Sequence, residues 1–150
     1  MVDKTTKHEL LIQGSALQQL KRFTEALTLF EQVIAFAPRD HNAWYGKSRV
    51  LVSLGRFAEA LAALDQLIWL VPDNAYNWIY RGEVLTRLSR YDEALAAYER
   101  ALHLKSDSAD FWYKKGHVLE NLQRPGEALS AYIQAFMLLL RSGSCVTALR

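Results

Sequence analysis

Most of what gives a small protein special chemistry is missing from this chain. It has a single cysteine, Cys145, which excludes an intramolecular disulfide framework and a cysteine-rich zinc site. Its four histidines, His8, His41, His103 and His117, show no paired metal-ligand spacing such as His-x-x-x-His. No Gly-x-Gly-x-x-Gly, Walker loop or Gly-x-Ser-x-Gly occurs, and no general base, nucleophile or metal set can be named. The expectation is therefore no enzyme, no catalytic residue, no metal and no cofactor. Charge of one sign is lacking too, since the net charge is only +2. Residues 7–40 carry four basic and four acidic groups, 41–74 three and three, 75–108 five and five, and 109–142 are +1. No basic face hides in that average, so a nucleic-acid partner is not expected. The longest apolar run, Ala135 to Leu140, falls far short of the ~20 residues that span a bilayer. The N-terminal residues MVDKTTKHELLIQG include Asp3 and Glu9 and lack the apolar core of a signal peptide. A soluble, cytoplasmic chain with no membrane partner follows as the expectation.

What the chain does have is length and period. At 150 residues it reads as one domain, residues 1–150, that buries roughly two-thirds of its unfolded surface without a staple. Ala26, Ala60, Ala94 and Ala128 are 34 residues apart, as are Leu20, Leu54, Leu88 and Leu122. Each alanine follows a glutamate (Glu25, Glu59, Glu93, Glu127) and precedes a leucine. These copies fill residues 7–40, 41–74, 75–108 and 109–142 without insertion, leaving a short tail at 143–150.

Inside each copy the apolar spacing is helical and nothing alternates at period two. Thr6, Asp40, Asn74 and Ser108 precede the copies and read as N-caps, whose side-chain oxygens accept unpaired helix-start amides. A first helix of about fourteen residues then runs to the leucine set. It breaks at Lys21-Arg22, Gly55-Arg56, Ser89-Arg90 and Gln123-Arg124-Pro125-Gly126. The recurring glutamate falls in the first turn of a second helix, at the positive end of its dipole. That helix ends before Pro38 and Pro72, which cannot continue it. Leu140 stands where a proline would, so the last helix should run on toward Ser142. The expected fold is all-α, eight helices in four hairpins.

Gly14, Ser48, Gly82 and Gly116 share one register position in the first helices. Glycine within a helix costs ~1 kcal/mol against alanine, so a packing reason is required. Small residues let paired helices approach closely, with Phe30, Leu64, Tyr98 or Tyr132 filling the space beside them. Each hairpin buries its other face only against the next, so stability is a sum over neighbouring interfaces.

A 34-residue helix–turn–helix with Trp44, Trp78 or Trp112 near its start, and glycine, alanine, aromatic and proline at fixed offsets, resembles the tetratricopeptide repeat. The likeness covers residues 7–142. Leu10 replaces the first tryptophan, Ser48 one glycine, and Gln13, Lys47, Arg81 and Lys115 the usual leucine before that small residue. The resemblance implies a right-handed α-α superhelix (solenoid) whose first helices line a concave groove that binds a protein or peptide. Mapped by register, the groove candidates are Leu11, Ser15 and Gln18; Asn42, Tyr45, Arg49 and Val52; Tyr76, Ile79, Tyr80, Glu83 and Arg87; and Asp110, Tyr113, Lys114, His117 and Asn121. The core of that set is Tyr45, Arg49, Tyr76, Tyr80, Glu83, Arg87, Tyr113, Lys114 and His117, mixing flat apolar area with charged donors. The carboxylate clamp of co-chaperone members maps onto Leu11, Ser15, Gly46, Tyr76 and Tyr80, none of them cationic. Starting one repeat later it maps onto Tyr45, Arg49, Tyr80, Asp110 and Lys114, with an acid inside the clamp. A chaperone-tail receptor is not expected.

Two features stand apart from the groove. Trp69 and Val71 on the second helix of repeat 2, like Met137 and Leu139 in repeat 4, are apolar where this family is usually polar. The C-terminal edge, with Phe136, Met137 and Leu140, lacks a polar capping helix and offers an alternative function: self-association into a homo-oligomer. Service as the interaction part of a larger complex is a third reading.

Overall fold

The computed structural model describes residues 4–143. Its described residues form eight α-helices and no strand: α1 (Lys4–Gln19), α2 (Phe23–Phe36), α3 (His41–Ser53), α4 (Phe57–Leu70), α5 (Ala75–Arg87), α6 (Tyr91–Leu104), α7 (Ala109–Asn121) and α8 (Pro125–Arg141). They group into two compact units divided between Pro72 and Asp73. In the first, α1 packs on α2, α2 on α3 and α3 on α4; in the second, α5 packs on α6, α6 on α7 and α7 on α8. The tail beyond Gly143, Cys145 included, lies outside the described residues.

Three of the four expected caps form. Asp40 accepts from the amides of Asn42 (3.0 Å) and Ala43 (3.2 Å). Asn74 accepts from Tyr76 (3.0 Å), and Ser108 from Phe111 (3.4 Å). Thr6 does not cap: α1 already begins at Lys4, so Thr6 sits inside the helix. Asp40 has a second task. Its carboxylate also pairs with Lys7 of α1 at 2.7 Å, tying α1 to the start of α3. Burial alone would raise the Asp40 pKa, but the Lys7 bond and the two amides overcome it and hold it below the ordinary value.

The break within each hairpin has one construction. Its turning residue, Lys21, Gly55, Ser89 or Gln123, sits at positive φ between 57° and 72°. Only Gly55 takes that left-handed region without steric cost from a Cβ. The arginine that follows forks onto the glutamate three residues later in all four copies, for example Arg22 Nε to Glu25 Oε1 at 2.7 Å and Nη2 to Oε2 at 2.6 Å. The second helices have no side-chain N-cap. Their first-turn glutamate serves the helix dipole and is at once held in place by the arginine.

Lysines standing where leucine is usual are explained by what they reach. Lys47 of α3 lies over the Trp44 ring (5.7 Å) and pairs with Glu31 of α2 (3.0 Å). Lys115 of α7 repeats this over Trp112 (5.5 Å) with Glu99 of α6 (3.1 Å). An aliphatic stem on an indole face with a paired ammonium replaces leucine without leaving a bare charge. The tryptophans also fasten each first helix to the turn before it. Trp44 donates its indole N–H to the Pro38 carbonyl (2.8 Å), and Trp112 donates to Ser106 (2.9 Å).

The core confirms the mechanical role of the small residues. A Cβ placed on Gly82 would lie 2.3 Å from the Tyr98 ring, and one on Gly116 2.5 Å from the Tyr132 ring. Ser48 is accommodated, fully buried, where the facing side chain is Leu64, and its hydroxyl donates to the Tyr45 carbonyl (2.8 Å). A glycine of different register, Gly46, meets the Phe30 ring at 2.4 Å, and Gly14 meets the same ring at 3.0 Å. Phe30 is therefore wedged between glycines of α1 and α3. At the other end α8 runs to Arg141, one turn further than its counterparts, as Leu140 in place of proline permits. Val71 caps α4 rather than belonging to it, and Trp69 is exposed with the Arg39 guanidinium over its ring (5.8 Å).

Candidate functional site

The candidate face is built by the first helices, which place one residue of every three or four on the side away from their hairpin partners. In the first unit α1 and α3 bring Leu11, Ser15, Gln18, Asn42, Tyr45 and Arg49 around a pocket of about 420 Å³. His8, Ile12, Gln19, Phe30 and Gly46 complete its lining. The Arg49 guanidinium lies over the Tyr45 ring at 5.6 Å. No carboxylate lines this pocket. Val52, named among the groove candidates, is half-buried and takes no part in the lining.

In the second unit α5 and α7 carry the corresponding residues, but charge pairs span the space between them. Lys114 of α7 bridges Glu83 of α5 at 3.1 Å and Asp110 of its own helix at 3.0 Å. Burial would lower the Lys114 pKa, yet the two carboxylates outweigh it and raise it, so the ammonium is a fixed cation. The Lys114 ammonium thus already serves two acids.

Tyr76 and Tyr113 are the exposed aromatics of α5 and α7, at 61% and 58%. Tyr76 stands edge-on to buried Phe111, centroids 5.4 Å apart, with Lys105 over its ring at 5.9 Å. Tyr113 leans on Tyr132 at 5.4 Å. Tyr132 in turn donates to Glu120 (2.7 Å). Burial and that carboxylate push the Tyr132 phenol up to about 12, keeping it a neutral donor. Tyr80 is half-buried, and Arg87 and His117 are exposed on the last turn of α5 and on α7. Ile79 corrects the sequence reading: it is 5% exposed and belongs to the core. Tyr45 and Tyr113 hold the same register position in the neighbouring repeats and are exposed, so the burial of Ile79 is particular to its own surroundings.

The register reading of the groove did not name His8, Ile12, Gln19, Phe30 or Gly46, which also line the pocket. Phe30 comes from a second helix, and its appearance in the pocket depends on Gly46 lacking a side chain. Among the described residues no group of three histidine, cysteine or acidic side chains could hold a metal. No described helix is long and apolar enough to cross a membrane. The residues of the C-terminal edge lie on α8 and are exposed: Phe136 at 54%, Met137 at 44% and Leu140 at 45%. Leu129 and Ile133 extend the same stripe at 61% and 51%.

Three family models match the chain. Two described as tetratricopeptide repeat cover residues 12–77 and 109–138, and one described as TPR repeat covers residues 82–123. No curated protein matches the sequence. Solved structures share the fold. A crystal structure of MamA superposes with a TM-score of 0.89 at 18% identity, over 95% of this chain and 83% of that one. MamA from residue 41 to its end, from Desulfovibrio magneticus RS-1, gives 0.85 at 22% identity, over 93% and 78%. A MamA RS-1 double mutant gives 0.87 at 20% identity, over 93% and 79%.

Proposed function

We propose that this chain, which belongs to the tetratricopeptide repeat family, is a non-catalytic scaffold that captures a segment of a partner protein on the face of its first helices. The observation that carries this reading is the set of exposed tyrosines, Tyr45, Tyr76 and Tyr113, interleaved with Arg49, Arg87, Lys114 and His117. Rigid aromatic area beside charged donors is what peptide contacts use most. The reading includes a cytoplasmic setting, no cofactor and no nucleic-acid partner, because charge balances within each of the first three repeats. Replacing Arg49→Glu, Tyr76→Ala and Tyr113→Ala together tests it, with folding checked by circular dichroism. Native partners recovered from lysate by the wild-type chain should be lost by the triple variant. Undiminished recovery of every partner would refute the reading.

A second reading, self-association through α8, rests on a comparison within the chain. Leu27 and Leu95 are each 7% exposed, yet Leu129 at the same register position is 61% exposed. In each unit the earlier leucine lies on a helix packed against the next hairpin (α2 on α3, α6 on α7). A second copy covering α8 would bury Leu129, Ile133 and Phe136 in the same manner. Light scattering should then show mass rising with concentration for the wild type and a constant monomer for Leu129→Lys/Phe136→Glu. A wild-type monomer at high micromolar concentration would end this reading. Membership in a larger complex is compatible with either surface.

A further inference from the structure

The two units share a design at a spacing of two repeats, and among their differences one bears on the space between the first helices. Glu83, Asp110 and Lys114, which bridge α5 and α7, correspond to Ser15, Asn42 and Gly46 in the first unit. Three charged side chains that span the space in one unit are thus replaced by two short polar ones and a glycine. The consequence is the pocket of about 420 Å³ between α1 and α3, within the size range of ligand-binding cavities. Leu11, Ile12, Phe30 and Tyr45 give it apolar walls and floor. Gly46 cannot be exchanged for a larger residue without displacing Phe30, since even a Cβ would sit 2.4 Å from that ring.

The charge at the rim has one sign. Arg49 and His8 line the pocket and no carboxylate does. Among the described residues Arg49 has no ion-pair partner; it rests on the Tyr45 ring at 5.6 Å. A guanidinium held flat on an aromatic face is positioned to pair with an incoming carboxylate without first releasing one.

We propose that the α1/α3 pocket is a specificity pocket for a partner peptide, taking one apolar side chain against Leu11, Ile12 and Tyr45 and the acidic residue beside it against Arg49. The proposal rests on the peptide-capture reading above and adds the chemistry of the recognised segment. Apolar burial supplies the anchor, and the unpaired cation selects the neighbour by charge. In the second unit the residue at the position of Gly46 is Lys114, committed to Glu83 and Asp110.

The test is a set of four fluorescent dodecapeptides, otherwise identical, with Leu-Glu, Leu-Lys, Ala-Glu or Ala-Lys at the centre. Their binding to the full chain is followed by anisotropy. The wild type should prefer the Leu-Glu peptide over each of the others by about tenfold. Arg49→Glu should reverse the preference between Leu-Glu and Leu-Lys. Ser15→Tyr, an exposed position on the pocket wall, should remove the difference between leucine and alanine while leaving the helical spectrum unchanged. Equal affinity for all four peptides, or no binding of any, would overturn the pocket. So would a leucine preference that survives Ser15→Tyr. If the triple variant still loses its lysate partners while the peptides are not discriminated, the pocket falls and the capture face stands. If the triple variant keeps them, the capture face itself is wrong.

Discussion

Phe30→Ala is expected to lower the unfolding free energy by about 3–5 kcal/mol, the range for removing a buried aromatic ring. The effect should fall in the upper part of that range because of what surrounds the ring. Phe30 is 1% exposed and lies between Gly14 and Gly46, whose positions for a Cβ are 3.0 and 2.4 Å from it. Glycines have no side chains that could swing into the space left behind. The helices themselves would have to close in, and the Lys7–Asp40 pair and the Trp44–Pro38 bond already fix their positions. Urea denaturation followed by helical ellipticity measures the loss. Adding Gly46→Ala to Phe30→Ala should recover part of it, since the methyl now enters a vacant volume. A loss below about 1 kcal/mol would mean that the cavity collapses freely and that the glycine pair is not a rigid seat.

Gly82→Ser should cost about 1–3 kcal/mol, as overpacking of a filled core does, even though serine is the better helix former. Its Cβ would enter the Tyr98 ring, at 2.3 Å. The chain holds its own precedent for the remedy. In repeat 2 the same register position is Ser48, fully buried, and the side chain facing it is Leu64. Tyr98→Leu should therefore make Gly82→Ser far less costly, with a coupling of about 1–3 kcal/mol in the double-mutant cycle. Tyr98→Leu alone carries its own loss, because the phenol also contacts Thr86 Oγ1 at 3.4 Å. Strict additivity of the two substitutions would show that the small residue and the aromatic are not matched to each other. The four refolding and unfolding curves needed are otherwise routine for a chain of this size.

The parts of the fold that could be read beforehand are those encoded locally. The caps at Asp40, Asn74 and Ser108 are legible because an N-cap needs only its own next three amides. The run-on of α8 is legible because it depends only on whether a proline follows. Thr6 misleads because a capping side chain does not by itself start a helix: the backbone is already helical from Lys4. The Arg–Glu fork recurs in every repeat at a spacing of three. Its arginine sits on a non-helical cap, so helix-face spacing rules do not pick it out.

Residues of the candidate face divide along the same line. Tyr76 and Tyr113 lie outward as their register implies, whereas Ile79 turns inward. Register cannot separate them, because Ile79 and Tyr113 hold the same position in consecutive repeats, and only the packing around each side chain decides its exposure. Lys47 and Lys115 look like departures from a leucine position. Their pairing with Glu31 and Glu99 of the preceding second helices appears only when those helices are side by side.

By itself, then, the sequence determined the period, the helices, their hairpin connections and the family, since each follows from patterns within some 34 residues of one another. Tertiary structure decided which of two equivalent places is open. Ser15, Asn42 and Gly46 are as ordinary in the sequence as Glu83, Asp110 and Lys114. Packing sets α5 beside α7 and α1 beside α3, so that one trio meets as a bridge while the other lines a pocket. Those helices become neighbours only when the hairpins stack, a matter of packed volume rather than of residue pattern.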